Sequence, residues 1–341
     1  MIDLHLHLDG SLEPYEIIKL AELDKIQLPT TDKNELAKSL TVSPDCRSLP
    51  EYLEKFDLPL RVLQSEKTLR SAVKYLVERL ALQGLCYAEI RFAPQLHLSN
   101  GLTQNQVVGA AVRGLNEACN KCGMPAQLIL CCMCGADNEK QNLETVAVAK
   151  EYLHRGVCAV DLAGNEFAYS TENFAKVFYT AKDSDVPIII HAGEARGAEN
   201  VCDALKLGAV RIGHGIRSVE DPELLQLLRE KNIALETCFT SNLQTKAVSD
   251  AEHFPLKKFI ESGIVATVNT DNMTVSGTTL KKEYSLVAKQ FGFSPDEMQQ
   301  LALNAANASF MMADEKELIK TKITNDFKAW LYEGRTGESK E

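Results

Sequence analysis

Near the start of the chain two histidines flank a single leucine, His5-Leu6-His7. Side chains of an extended strand alternate between its faces, so both imidazoles share one side. His191, His214 and Asp271 stand at the ends of later apolar runs. Neutral imidazoles with one carboxylate suit Zn²⁺. His5, His7, His191 and Asp271 would hold one such ion and leave a position for water, which the metal would activate as a nucleophile. Glu194, just beyond His191, and His214 remain as a carboxyl and an imidazole beside that water, the kinds of group that move protons. One histidine at a strand end is ordinarily structural, and HxH alone recurs by chance. The weight lies in the conjunction: four of only seven histidines fall at strand ends, and an aspartate ends the last.

The elements that must position these groups follow one pattern. Short apolar runs rich in β-branched residues, each too short for a helix, alternate with longer stretches of helical period. The runs cover 2–8, 86–93, 127–134, 157–164, 186–192, 210–213, 234–238 and 264–270. Their near-continuous apolar character fits strands buried on both faces. Thr103 caps a helix that stops at Gly123, Ser170 begins another, and Asp221-Pro222 and Ser294-Pro295 place a cap before a first-turn proline. Gly84, Gly156 and Gly263 fall where helices must end. Eight βα units predict a closed barrel or a doubly wound sheet, and active sites of barrels sit at the carboxyl ends of the strands. The reading is a single α/β domain over 1–334, a (β/α)8 TIM barrel. A helical insertion over 12–83 forms a lid after strand 1, C-terminal helices over 279–333 lie on the barrel's flank, and a frayed tail covers 335–341.

Composition excludes several classes. Hydrophobic residues at 45% and charged residues at 25% describe an ordinary globular chain. A net charge of −10 disfavours nucleic acid and anionic membranes as partners and leaves a small neutral molecule open. No apolar run approaches the ~18 residues of a membrane span. Asp3 stands where a leader would be basic, and cleavage would remove His5 and His7, so a cytoplasmic location is expected. The oligomeric state is left open, a monomer being compatible. The ten cysteines lie mostly in strand-like runs and read as buried thiols. Cys119-x-x-Cys122 lacks the HxE of the zinc deaminases that bind metal through PCxxC and reads as incidental. His97 is placed at the surface beside the pocket mouth. Phe56, Leu58 and Val62 are candidates for a pocket wall, with core packing the ordinary alternative for each.

His5-Leu6-His7-Leu8-Asp9-Gly10, His191-Ala192-Gly193-Glu194, Arg211-Ile212-Gly213-His214-Gly215 and Asn269-Thr270-Asp271 together resemble the adenosine deaminases of the amidohydrolase superfamily. Tyr87 to Pro94 and Asp161 to Glu166 add secondary matches, and the resemblance runs from Ile2 to about Asn307. It implies one zinc per chain on His5, His7, His191 and Asp271, and hydrolysis of adenosine, with 2′-deoxyadenosine, to inosine and ammonia. It further implies that Glu194 gives a proton to purine N1, and that His214 orients the activated water and assists its deprotonation. Asp271 would hydrogen-bond that water besides binding zinc. Gly164 would present its backbone to N3, and Asp9 and His7 would meet the ribose end. The fourth run ends Asp161-Leu162-Ala163-Gly164, without the lysine that binuclear relatives use as a bridge.

Three positions depart from the family pattern. Asn272 stands where a second aspartate is common and would contact purine N7; its amide donates at any pH, which a carboxylate does only when protonated. Phe239 replaces a common proline and Cys134 a common arginine, changes expected to touch loop geometry more than chemistry. The competing readings are a deaminase of adenine, AMP or a larger nucleoside, a non-catalytic nucleoside binder, and a barrel hydrolase of phosphoesters or cyclic amides. Asp9 disfavours a 5′-phosphate by charge.

Overall fold

A computed structural model describes residues 1–332; the tail expected over 335–341 lies outside them. Among the described residues the eight strands are β1 Ile2–His7, β2 Tyr87–Phe92, β3 Ala126–Met133, β4 Val157–Ala163, β5 Ile189–Ala192, β6 Arg211–His214, β7 Ala234–Thr237 and β8 Ala266–Val268. Each coincides with one of the expected runs, with shifted ends. β1 to β4 pair in sequence order, all parallel, and so do β5 to β8. Two bridges join the halves, Val160 to Ile188 and Leu6 to Asp271. At the second, the His7 amide donates to the Asp271 carbonyl and the Asp271 amide to the His5 carbonyl, both at 2.8 Å. The sheet therefore closes on itself, and the doubly wound alternative falls away in favour of a (β/α)8 barrel.

Between β1 and β2 run α1 Pro14–Asp24, α2 Lys33–Leu40, α3 Leu49–Leu53, α4 Asp57–Val62 and α5 Glu66–Leu82. α5 packs along α6, Gln104–Cys122, as a member of the outer ring, while α3, α4 and the turn between them cover the barrel mouth. α7 Glu139–Tyr152, α8 Ala175–Asp183, α9 Ala198–Lys206 and α10 Pro222–Glu230 each follow a strand. α11 Phe239–Gln244 and α12 Leu256–Glu261 follow β7, α13 Met273–Ser276 follows β8, and α14 Leu280–Phe291, α15 Pro295–Ala308 and α16 Ala313–Tyr332 end the described chain.

The helix ends follow their local chemistry. The Thr103 hydroxyl accepts the Gln106 amide while the Gln106 side chain accepts the Thr103 amide, which starts α6. Asp221 accepts from the amides of Glu223 and Leu224 at the start of α10, and Ser294 with Glu297 makes the same reciprocal pair at α15.

Strand alternation sorts the barrel into two environments. Ile2, Leu4, Leu6, Ile90, Phe92, Leu128, Leu130, Ile190 and Ile212 belong to the apolar layer under the helices. The intervening His5, Glu89, Arg91, Asp161, His191, Arg211 and Glu236 are buried and meet one another inside the barrel. The floor is built from ion pairs. Arg211 bonds Glu89 and Glu236, each at 2.5 Å, and donates to the Ala308 carbonyl at 2.8 Å. Phe310 lies over the Arg211 guanidinium at 4.5 Å and donates its amide to Glu89 at 2.7 Å. The C-terminal helices thus do more than cover a flank: the end of α15 plugs the bottom of the barrel.

His97 corrects an expectation. It is buried rather than at the surface, because the segment joining α4 to α5 folds over the turn after β2. Its Nδ1–H donates to the Leu63 carbonyl at 2.8 Å, and burial lowers the imidazole from 6.5 to about 4. All ten cysteines are free thiols, as expected, and Cys119 and Cys122 sit half-buried on the last turn of α6.

Candidate active site

The barrel mouth holds a cavity of about 220 Å³. Its wall includes His7, Asp9, Gly164, His191, Glu194, His214, Asp271 and Asn272. The sequence-predicted site residues thus gather at one place; His5 lies fully buried just beneath. From α3, α4 and the turn between them come Leu49, Tyr52, Leu53, Phe56, Asp57 and Leu60. Of the three apolar candidates only Phe56 reaches the wall; Val62 is fully buried in the core and Leu58 packs against it. Cys134 also lines the cavity, whereas Phe239 packs edge-on against Phe254 and Phe291.

The imidazoles and Asp271 converge. His7 Nε2 lies 3.3 Å from Asp271 Oδ1 and 3.2 Å from His191 Nε2, and His5 Nε2 lies 3.5 Å from Asp271 Oδ1. His5 Nε2 is buried with no hydrogen-bond partner. His5, His191, His214 and Asp271 also offer donor atoms all within 4.8 Å of one another. Proximity alone therefore leaves both His7 and His214 as companions of the other three.

The groups behind each ring separate the two kinds of histidine. His5 Nδ1 faces Glu236 Oε2 at 2.8 Å, and His191 Nδ1 faces Asp161 at 3.0 Å. A carboxylate there takes the Nδ1 hydrogen and leaves a lone pair on Nε2, as a metal ligand requires. His214 Nδ1 instead meets the Asn242 amide nitrogen at 3.0 Å. Nδ1 must then accept, so in the neutral ring the hydrogen sits on Nε2, which has no lone pair to offer. Asp271 Oδ2 accepts from the Ser241 hydroxyl at 2.6 Å, leaving Oδ1 to face His5 and His7.

Charge follows burial and neighbours. Burial holds the His7 and His214 imidazoles well below 6.5, so both are neutral. Burial works to raise Asp271, but the closeness of His5, His7 and His214 outweighs it and holds the carboxylate well below its ordinary range. Glu194 goes the other way. Burial, reinforced by the nearby Asp271 charge, lifts it from 4.5 to about 8, which makes it a protonated acid at neutral pH. Burial likewise lifts Asp9 to about 6, and its Oδ1 has no partner.

The backbone at these strand ends is strained where the chemistry is. His214 and Asp271 occupy the left-handed region, at φ 61° and 60°, which costs a non-glycine residue of order 1 kcal/mol or more. Gly164 follows β4 at φ 106°, and a Cβ there would lie 3.1 Å from Met133 Cε. Gly10 permits the closest approach: a Cβ on it would stand 1.9 Å from Asn272 Oδ1. Asn272 is buried at the wall with that oxygen unpartnered.

Several residues of the site carried no assigned role in the sequence. Glu166 accepts the amides of Gly193, Glu194 and Ala195 at 2.7, 3.0 and 2.6 Å, which fixes the turn carrying Glu194. Arg91 joins the two carboxylates behind the histidines, donating to Asp161 and Glu236 at 2.7 Å each. Ser241, Asn242 and Thr245 of the β7 loop reach Asp271, His214 and Glu194. Tyr52 ties α3 to the far wall, its hydroxyl 2.7 Å from Ser276 Oγ. A charged residue inside an apolar strand run was the available signal for Arg91, Asp161 and Glu236.

Fold and cluster together define a (β/α)8 barrel with a metal-type donor set and a protonated acid at its carboxyl mouth. The adenosine deaminase family model matches residues 1–326. An adenosine deaminase of Haemophilus ducreyi is 47% identical over 327 residues, covering 95% of each chain. An adenine deaminase of Arthrobacter aurescens superposes with a TM-score of 0.87 at 28% identity, covering 96% of this chain and 98% of that one. The Arabidopsis N6-mAMP deaminase superposes with a TM-score of 0.83 at 26% identity, covering 95% and 97%. The chain belongs to the adenosine deaminase family. Among the described residues no helix is long and apolar enough to cross a membrane.

Proposed function

We propose that the protein hydrolyses adenosine, and 2′-deoxyadenosine, to inosine and ammonia with one zinc ion per chain. The observation that carries this is the buried carboxyl of Glu194 in the same small cavity as the convergent imidazoles and Asp271. The donor set fits zinc: His5, His7, His191 and Asp271 would hold it. His5 has its Nε2 orphaned, and carboxylates stand behind Nδ1 of His5 and His191. When bound, the ion supplies the Lewis acidity that makes water a nucleophile near neutral pH.

The chain's own residues do the rest. Glu194 passes its proton to purine N1, which leaves C6 open to attack. His214 and Asp271 align the attacking water from either side, and Asp271 takes its proton. The water oxygen bonds to C6, the C6–N6 bond breaks as the proton held by Asp271 passes to N6 and ammonia departs, and the oxygen's remaining hydrogen returns to Glu194 as the C6 carbonyl forms. Gly164 offers its backbone to the purine edge and Asn272 its amide to N7. Asp9 and His7 receive the ribose end, where the unpartnered Asp9 oxygen accepts a hydroxyl. The burial of Glu194, His214 and Asp271 strengthens each of these interactions.

Ultraviolet absorbance of the zinc-loaded protein with adenosine, 2′-deoxyadenosine, adenine and AMP, with ammonia assayed in parallel, tests this. Conversion of the two nucleosides, and its loss in Asp9→Ala, is the expected result. Conversion of adenine alone would move the substrate to the free base, and no ammonia from any of the four would defeat the catalytic reading.

A further inference from the structure

Asn242 is fully buried on the first turn of α11 and takes no place in the reaction as derived above. Its single side-chain nitrogen serves two partners: His214 Nδ1 at 3.0 Å and Glu194 Oε1 at 3.2 Å. The amide orientation is fixed on its other side, because Oδ1 faces the Cys238 amide at 3.4 Å. Turned over, the carboxamide would set oxygen against the Glu194 carboxyl.

The consequences fall on two protons. His214 Nδ1 receives a hydrogen, so its own sits on Nε2. Glu194 Oε1 receives two, from Asn242 and from the Thr245 hydroxyl at 2.8 Å. That oxygen is saturated, so the carboxyl hydrogen belongs on Oε2. His214 Nε2 and Glu194 Oε2 are 3.6 Å apart, too far for a hydrogen bond between them. Two hydrogen-bearing atoms at that separation point at a shared third group rather than at each other.

We propose that Asn242 is a positioning residue that places the hydrogens of both His214 and Glu194 on their cavity-facing atoms, so that His214 meets the attacking water as a donor. This rests on the deamination reading and sharpens it: His214 steadies the oxygen through Nε2–H, and the water's proton leaves by Asp271 alone.

The test uses the full-length, zinc-loaded protein labelled with ¹⁵N-histidine. Long-range ¹H–¹⁵N correlation spectra distinguish Nε2–H from Nδ1–H, and comparison with His214→Gln identifies the ring. The wild-type ring is expected as Nε2–H. Asn242→Asp keeps the shape but only accepts; His214 should move its hydrogen to Nδ1, and kcat should fall about 100-fold, the low end for losing one proton-transfer group, with KM within threefold. Asn242→Ser serves if the aspartate variant does not fold. Thr245→Val, which frees Glu194 Oε1 without touching His214, should lower kcat and leave the tautomer unchanged. A wild-type Nδ1–H ring, or an Nε2–H ring and unchanged kcat in the Asn242 variants, overturns the proposal. The tautomer is read without substrate, so this failure is distinct from that of the deamination reading, which would show as a wild-type protein releasing no ammonia.

Discussion

Removing Arg91 should loosen both histidines at once. Its guanidinium is fully buried and bonds Asp161, Glu236 and the Leu4 carbonyl at 2.7, 2.7 and 2.6 Å. Those two carboxylates orient His191 and His5. Burial alone would raise Glu236; Arg91, with Arg211, is what holds it well below its ordinary range. Arg91→Met keeps the stem and removes the charge. Glu236 retains Arg211 and His5, but Asp161 retains only His191 among strong partners, the Cys131 thiol being 4.0 Å away. Breaking a buried pair by deleting one partner costs about 3–5 kcal/mol, a large part of the roughly 5–15 kcal/mol that holds a domain together. Loss of the groups that orient metal ligands weakens metal binding about 10–100-fold. Arg91 acts one step further out, so about tenfold is expected. Arg91→Lys, a point charge that serves only one carboxylate, should fall between. Urea unfolding of the metal-free protein measures the first quantity and zinc competition against a chelator the second. A variant with the wild-type unfolding midpoint and zinc affinity would refute the claim that Arg91 supports the site.

Glu194→Gln should bind zinc and inosine as the wild type does while kcat falls about 10²–10⁴-fold; near-normal turnover in the zinc-loaded variant would remove Glu194 from its role. The Glu194 value of about 8 lies above its ordinary 4.5, so the folded chain keeps a proton that the unfolded chain has lost. Metal-free stability should therefore decline as pH rises between those values, and the slope should flatten in Glu194→Gln. His97 has the opposite sign: at about 4 against 6.5, its contribution is complete above pH 6.5 and lost as pH falls toward 4, about 3 kcal/mol in all. Urea titrations of His97→Asn across that window should show a shallower loss.

The barrel was legible because parallel strands covered on both faces are mostly apolar, and β2, β3 and β4, buried along nearly their whole length, carry only an occasional polar residue. The five groups His5, His7, His191, His214 and Asp271 were legible because imidazoles at strand ends have few other reasons to gather. His97 was misread for the complementary reason. It follows a strand as the others do, and only the fold of the segment between α4 and α5 decides that it is covered. Asn242, Thr245 and Glu166 were silent because a polar loop residue looks the same whether it faces solvent or accepts and donates inside a site. Tyr52 of α3 was silent because its partner Ser276 lies far along the chain, and no local period relates them.

The interior of the barrel also places negative charge where a cation would sit. Glu89, Asp161, Glu236 and Asp271 are buried carboxylates, and Arg91 and Arg211 are the guanidiniums that meet three of them. Glu194, lifted by burial to about 8, stands largely protonated and adds little. Near the floor each of Glu89, Asp161 and Glu236 bonds a guanidinium. At the mouth Asp271 has only a hydroxyl and neutral imidazoles beside it. Uncompensated charge is expensive in so dry a place, and a cation at Asp271 offsets it. The ion pairs of the floor and the donor set of the mouth are thus one electrostatic arrangement: the first orients the ligands through Asp161 and Glu236, and the second leaves the charge that a zinc ion would neutralise.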